Sequence, residues 1–263
     1  MAIINVTPDS FSDGGLHRSL EVAVAHGLDC VREGAAILDV GGESTRPGGA
    51  PVSAAEEQDR VLPVIERLIR ETDALISVDT YRAETARLAM AAGAHIINDV
   101  HGLQREPAIA SVAAETSAGL CIMHTGRGRE GEIVDDVIAD QQAFFKVSLA
   151  IAEAAGVLSE AIVLDPGFGF AKDSDHNLQI MDRFADLTQI GFPWLVGASR
   201  KRFIGAATGQ DIAADRDIGT AATTAILRLA GAAIFRVHNV AANRDALGIA
   251  DALIRVHAEE RLQ

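Results

Sequence analysis

The sequence predicts an α/β protein built as a single parallel (β/α)8 barrel, a TIM barrel, over residues 1–263. Three observations predict it. Short apolar runs recur along the chain, each closing on a polar, Gly-rich or Asp/Asn-bearing segment and leading into an amphipathic stretch of helix length, which is the βα pattern. With 263 residues and 48% hydrophobic content the chain can bury one large core, and such a barrel commonly fills about 250 residues as one domain. Only 4% of residues are aromatic, while Ala, Val, Ile, Leu and Gly abound, as suits side chains packed between parallel strands and close helices.

The candidate strands, in order, are Ala2–Val6, Ala36–Val40, Leu75–Val78, His95–Asn98, Leu120–Met123, Ala161–Leu164, Trp194–Val196 and Ala233–Val237. Ala54–Glu71 is predicted helical because Val61, Ile65, Leu68 and Ile69 fall on one face, and Asp136–Ala155 because its pattern ends at the cap-like Gly156. Arg82–Ala92 and Arg216–Ala230 follow the same pattern. A doubly wound open sheet also alternates strands and helices, but it gathers its binding residues at one switch point; here polar motifs follow nearly every strand. No linker, low-complexity segment or repeat divides the chain. Strand one opens the sequence at Ala2, so the bottom layer of the barrel is expected to be covered by side chains alone.

A formal net charge of -14 and a pI near 4.9 set the surface against a phosphate backbone, and no basic run offsets them, so nucleic acid is not an expected partner. An anionic ligand must then be met by a few local cations or a metal. Cys30 and Cys121 stand apart in apolar stretches and belong to no C-x-x-C pair, which suits buried thiols in a reducing cytoplasm. No stretch of 18 apolar residues and no basic-then-apolar leader occurs, so a soluble cytosolic protein without a membrane partner is expected.

The informative residues sit just after the strands, where barrels of this kind place their active sites. Asn5–Gly15 reads NVTPDSFSDGG, which taken alone is equally a surface turn with helix-capping Ser and Asp. Asp39–Gly49 reads DVGGESTRPGG, whose glycines, hydroxyl and Arg46 can cradle phosphate oxygens, or equally form a flexible lid; Asp39 can also serve simply to position loop backbone. Three strand ends deliver Asp79, Asn98 and Asp165, polar groups that must be paired or neutralised when buried. A ligand edge rich in N–H donors satisfies them, and a pterin presents two parallel donors to a carboxylate such as Asp165. A metal is the rival explanation, but no histidine stands at ligand spacing and a hard Mg²⁺ takes only one or two protein oxygens beside phosphate and water.

Val196–Phe203 reads VGASRKRF and resembles a nucleophile elbow, except that Lys201 stands where the second glycine belongs, which argues against a serine hydrolase. Lys201, Arg236 and His238 instead supply local cations. His124, at the end of strand five, has the chemistry of a base or metal ligand and equally that of a strand-end histidine hydrogen-bonded to backbone, and is assigned no chemical role; Met123 offers apolar surface to a flat ring.

Together the strand-end segments NVTPDSFSDGG, DVGGESTRPG, SVDTY, NDV, MH, DPGFGFAK, VGASRKRF and RVHNV resemble those of the dihydropteroate synthases along effectively the whole chain. The resemblance implies a Mg²⁺-assisted substitution in which 6-hydroxymethyl-7,8-dihydropterin pyrophosphate loses pyrophosphate to the amine of p-aminobenzoate. Matching positions make Asp79, Asn98, Met123, Asp165, Gly197 and Lys201 the pterin contacts, and Asn5, Thr45, Arg46, Arg236 and His238 the pyrophosphate contacts, with Asn5 also the metal ligand. Phe11, Thr45, Pro47, Phe170, Ser199 and Lys201 would hold p-aminobenzoate; Lys201, Arg236, His238 and Asp79 would be the catalytic set. The family also implies a homodimer, for which the apolar helix around Ala246–Ile254 is a candidate. The chain departs from the family pattern in lacking the usual N-terminal extension, in Ala171 before Lys172 where glycine is usual, and in Asn239 where aspartate usually follows RVH. Rival readings are a corrinoid-linked pterin methyltransferase, which would not need Ser199, Arg200 and Lys201 with Arg236 and His238 as an anion clamp, a non-catalytic pterin binder, and a Schiff-base aldolase using Lys172 or Lys201.

Overall fold

The computed structural model describes residues 1–6, 15–43, 52–128 and 136–260. Over these, strands and helices alternate: β1 (Ala2–Asn5), α1 (Gly15–Arg32), β2 (Ile37–Gly41), α2 (Ala54–Glu71), β3 (Leu75–Asp79), α3 (Ala83–Ala91), β4 (Ile96–Asp99), α4 (Ala108–Thr116), β5 (Gly119–Met123) and α5 (Val137–Ala154). The series continues with β6 (Ile162–Asp165), α6 (Ser174–Asp182), α7 (Phe184–Thr188), β7 (Leu195–Val196), α8 (Arg202–Thr208), α9 (Asp217–Leu229), β8 (Ile234–Phe235) and α10 (Val240–Glu260). Each candidate strand is present, its ends displaced by at most two residues. No helix of the described residues is long and apolar enough to cross a membrane.

The chain groups into two compact units, Met1–Met123 with Val147–Val163, and His124–Lys146 with Leu164–Gln263. In the first, β1 to β5 pair in sequence order as parallel neighbours. Buried on both faces, these strands are predominantly apolar: Leu38, Val40, Ile76, Val78, Ile97, Leu120 and Ile122 are fully buried, with the polar Asp39, Ser77 and Asn98 buried among them. Helix α2 starts on Ser53, whose Oγ accepts the Glu56 N–H at 3.2 Å, and buries the stripe Val61, Val64, Ile65 and Leu68. It packs between α1 and α3. Gly27 permits the α1 approach, since a Cβ there would lie 3.0 Å from Leu68.

In the second unit β7 pairs with β8 in parallel, and Leu164 at the end of β6 bridges to Trp194. Trp194 meets Phe145 and Phe184 edge-on, at centroid distances of 5.4 and 5.7 Å. Helices α9 and α10 pack against each other. Cys30 and Cys121 are buried free thiols, and burial pushes the Cys30 thiol up to about 11, which keeps it protonated.

Candidate active site

In the first unit the strand register does the positioning. Asn5 lies opposite Gly41, Gly41 opposite Asp79, Asp79 opposite Asn98, and Asn98 opposite Cys121, so the ends of five parallel strands form one row. Two residues before Gly41 on β2, the buried Asp39 accepts the Asn98 side-chain N–H at 3.1 Å. Asp39 therefore has a strand-end side chain as partner, beyond the loop-positioning role open to it in the sequence. With its NH2 group on Asp39, the amide of Asn98 is oriented so that its oxygen is the end able to accept from a ligand. A Cβ on Gly41 would come within 3.5 Å of Asp79 Oδ2, so glycine leaves the flank of that carboxylate clear.

Asp99 builds the following turn. Its two oxygens accept the N–H groups of His101 and Leu103 at 2.8 and 2.7 Å, and Leu103 sits there at φ 68°. Burial raises its carboxyl to about 6 against those two hydrogen bonds. Arg82 bridges residues on either side of the β2 loop: Glu43 Oε2 lies at 2.8 Å and the Val52 carbonyl at 2.6 Å, while the buried Glu57 lies at 3.1 Å. Phe11, Thr45, Arg46 and Pro47 lie outside the described residues.

In the second unit Asp165 ends β6 at 4% exposure. Its Oδ1 accepts the Gly167 N–H at 2.7 Å, and Oδ2 faces Gly197, where a Cβ would stand 3.5 Å away. Burial raises the carboxyl to about 6, opposed by the Gly167 hydrogen bond and by the charges of Lys201, Arg236 and Lys172. The Lys201 ammonium lies 4.4 Å from the centroid of the Phe170 ring, which Arg127 also approaches at 4.6 Å.

Ser199 and His238 form a pair. The Ser199 hydroxyl accepts the His238 backbone N–H at 3.2 Å and lies 2.9 Å from His238 Nδ1. A hydroxyl that has accepted one N–H still has its proton to donate, and in the tautomer where Nδ1 accepts it the proton of a neutral ring sits on Nε2, as a donor to an anion. Asn239 does not orient His238. Its Oδ1 accepts the Ala242 N–H at 3.0 Å at the start of α10, and its Nδ2 donates to Asp217 Oδ2 at 3.0 Å. Asp217 in turn clasps Arg200 at 2.6 and 2.9 Å, and Arg200 holds φ 58° between Ser199 and Lys201. An ionised aspartate at 239 could not donate to Asp217. The usual family residue would set two carboxylates together here, so Asn239 suits this chain.

The His124 ring, whose partners the sequence leaves open, is bound by two side chains: Nε2 to Asp140 Oδ2 at 2.8 Å and Nδ1 to Lys172 Nζ at 2.9 Å. Lys172 also donates to the Gly167 and Phe170 carbonyls, at 3.0 and 3.4 Å. An ammonium held by these acceptors is a poor Schiff-base nucleophile.

A model of the pterin binding enzyme family matches residues 1–238, which take in segments of both units. The chain belongs to this family. Among the relatives of this pterin-binding enzyme is the dihydropteroate synthase of Synechocystis sp., 44% identical over 260 residues that cover 97% of this chain and 90% of the relative. Solved structures agree. Dihydropteroate synthase from Clostridium difficile, solved in the presence of pteroic acid, superposes with a TM-score of 0.92 at 44% identity, covering 96% of this chain and 95% of that one. The enzyme from Xanthomonas albilineans with 4-aminobenzoic acid gives 0.91 at 45% identity, over 96% and 92%. The pterin-binding enzyme thus has the fold class expected from its sequence, the α/β TIM barrel. Sequence reasoning missed Asp140 and Asp217, helix residues whose partners His124 and Arg200 stand 16 and 17 residues earlier; Arg200, expected in an anion clamp, is paired with Asp217.

Proposed function

We propose that this pterin-binding enzyme is a dihydropteroate synthase, a transferase of folate biosynthesis. It joins 6-hydroxymethyl-7,8-dihydropterin pyrophosphate to p-aminobenzoate and releases 7,8-dihydropteroate and pyrophosphate. One observation carries the reading: Asp165 is a buried carboxylate with one oxygen on Gly167 and three cations acting on it, and burial still outweighs them. A ligand edge bearing two N–H donors supplies what this carboxylate lacks, and a pterin has that edge.

In the second unit Asp165, Gly197 and Lys201 contact the pterin, Arg236 and His238 the pyrophosphate, and Phe170, Ser199 and Lys201 the p-aminobenzoate. In the first unit Asp79, Asn98 and Met123 contact the pterin and Asn5 the pyrophosphate. Phe11, Thr45, Arg46 and Pro47 complete the sets by motif. The C–O bond to pyrophosphate breaks while the electron-rich dihydropterin stabilises positive charge on the methylene carbon. The aniline nitrogen then bonds to that carbon and releases a proton. Arg236 and the Nε2–H of His238 stabilise the charge growing on the leaving group, a kind of interaction whose loss costs roughly 3–4 kcal/mol. Lys201 and Asp79 hold the pterin in line, and for a nucleophile already active as the neutral amine, positioning matters most.

Asn5 fits Mg²⁺. It offers one hard amide oxygen at the partly exposed end of β1, and among the described residues no group of three or more His, Cys, Asp or Glu could hold an ion. An ion here would share its coordination with substrate oxygens and water, as Mg²⁺ does, and would supply charge neutralisation on pyrophosphate.

We place the enzyme in the cytoplasm and propose that it acts as a homodimer. Ile218, Ile226 and Leu229 on α9 and Ile249, Leu253 and Val256 on α10 support the dimer, being exposed apolar side chains on two helices packed together. The test is pyrophosphate release from the pterin pyrophosphate, with and without p-aminobenzoate, in Mg²⁺ and in EDTA. Turnover is expected only with both amine and metal; tight pterin binding without turnover would refute the synthase reading.

A further inference from the structure

We infer that Asp140, His124 and Lys172 form a positioning network that fixes Asp165 and the β6 loop for pterin binding. This rests on the reading of Asp165 as the pterin carboxylate. All the residues concerned lie in the second unit.

The donor and acceptor chemistry sets the direction of each bond. An ammonium only donates, so at 2.9 Å from Lys172 Nζ the His124 Nδ1 must accept. The ring proton is therefore on Nε2, which donates to Asp140 Oδ2 at 2.8 Å. His124 is 1% exposed and Asp140 5%, so the aspartate, imidazole and ammonium form a largely buried series with the carboxylate at one end and the cation at the other. The imidazole also packs on Phe144, with ring centroids 4.7 Å apart.

The cation grips the loop that needs holding. Gly167, Gly169 and Ala171 have φ of 65°, 76° and 53°, three left-handed residues within five. Lys172 Nζ binds the Gly167 carbonyl at 3.0 Å, while the Gly167 N–H binds Asp165 Oδ1 at 2.7 Å. Gly167 is thus held at both ends, by the network and by Asp165. Gln141, one residue after Asp140 on α5, donates to the Pro166 carbonyl at 2.8 Å, and the Gly169 N–H donates to Asn177 at 2.7 Å. The His124 N–H binds the Asp165 carbonyl oxygen at 2.8 Å, which ties the middle of the network to the same residue. Without the ammonium, Gly167 loses one of its two anchors and Asp165 its fixed partner.

The experiment uses the full chain. Free 6-hydroxymethylpterin is titrated into the wild type, Lys172→Met and Asp140→Asn, and KM for each substrate and kcat are measured for all three. Lys172→Met is expected to raise the pterin Kd and the pterin pyrophosphate KM by roughly 10-fold or more, as loss of an outer partner of a binding group does, with a several-fold smaller rise in the p-aminobenzoate KM through the longer 3.4 Å bond to the Phe170 carbonyl. Asp140→Asn keeps an oxygen that can accept from Nε2–H and is expected to have a smaller effect in the same direction. Altered melting temperature with unchanged pterin Kd and KM, or equal losses for both substrates, would overturn the inference. If Lys172→Met does not fold, ¹⁵N spectra of the wild-type His124 ring decide: a proton on Nδ1 overturns the network, and one on Nε2 with the expected Asp140→Asn effect supports it. A wild type that does not bind 6-hydroxymethylpterin refutes the pterin reading itself; normal wild-type binding with unaffected variants refutes the network alone.

Discussion

Replacing Asp165 with asparagine is expected to stabilise the free enzyme while removing its pterin binding. The folded carboxyl titrates at about 6 against 3.8 for the ordinary group, and each tenfold change in proton affinity is worth about 1.4 kcal/mol. Burial causes the rise, and the Gly167 N–H, Lys201, Arg236 and Lys172 only partly oppose it. The folded chain holds this proton more tightly than the unfolded chain does. The carboxyl's contribution to stability is therefore best at low pH, falls as pH rises from about 4 to about 6, and above that is an unfavourable contribution of about 3 kcal/mol at most. Asparagine retains the oxygen that accepts from Gly167 and carries no charge. At pH 7 the variant should melt several degrees above the wild type, at about 2–4 °C per kcal/mol for a chain near this size, and the difference should vanish by pH 4. Asp99, also raised to about 6, is common to both proteins and cancels from the comparison. Binding runs the other way. The ionised form accepts the pterin donors, so wild-type affinity should rise about tenfold between pH 5 and pH 7, as the ionised fraction goes from about one tenth to about nine tenths. The amide opposes donor to donor and should lose about 3 kcal/mol or more, at least a hundredfold in Kd. Differential scanning calorimetry and pterin titration across pH 4–8 measure both. An Asn variant no more stable at pH 7, or a wild-type affinity flat from pH 5 to 7, would refute the reasoning.

Ser199→Ala removes both the acceptor for the His238 N–H and the partner of Nδ1, so pyrophosphate affinity measured by titration should fall about tenfold while free pterin affinity holds; equal losses would contradict the anion role of His238. Ala171→Gly relieves an exposed left-handed alanine at φ 53°, and after the added chain entropy of glycine the gain should be about 0.5–1 kcal/mol. A melting temperature raised by about 2 °C is the expected result, and an unchanged or lower one would show that the strain is not there.

The strands were legible because parallel strands buried on both faces leave the simplest mark a sequence can carry, an apolar run stopped by polar residues. Ala2 to Ile4 and Leu120 to Ile122 are such runs, with single buried polar residues, Asp39 and Ser77, set into β2 and β3, and the register that carries Asn5, Asp79 and Asn98 to one sheet end follows from in-phase pairing of neighbours. Supporting residues were not legible. Asp140 stands among apolar neighbours in α5 and looks like an ordinary polar position, yet its partner His124 lies 16 residues earlier. Arg82 and Glu57 sit on separate elements, and only tertiary contact makes them neighbours. The partners of the His124 ring were hidden for the same reason: nothing local betrays a lysine 48 residues away.

The acidic composition and the anionic substrate are reconciled by how cations are distributed. With a net charge of -14, the protein cannot attract pyrophosphate by its overall field. Several arginines are bound to carboxylates that hold loops, as Arg82 is to Glu43 and Arg200 to Asp217, so they shape the strand ends. Lys201, Arg236 and Lys172 are the charges that act on Asp165, yet burial outweighs them. That residual imbalance gives the carboxylate its use. A site whose own cations fully satisfied Asp165 would have no need of the pterin's donors, and one without those cations would keep it protonated at neutral pH. An intermediate balance leaves it ionised at pH 7 but incompletely compensated, and in the function proposed above the pterin's N–H groups would complete the pairing that the protein leaves open.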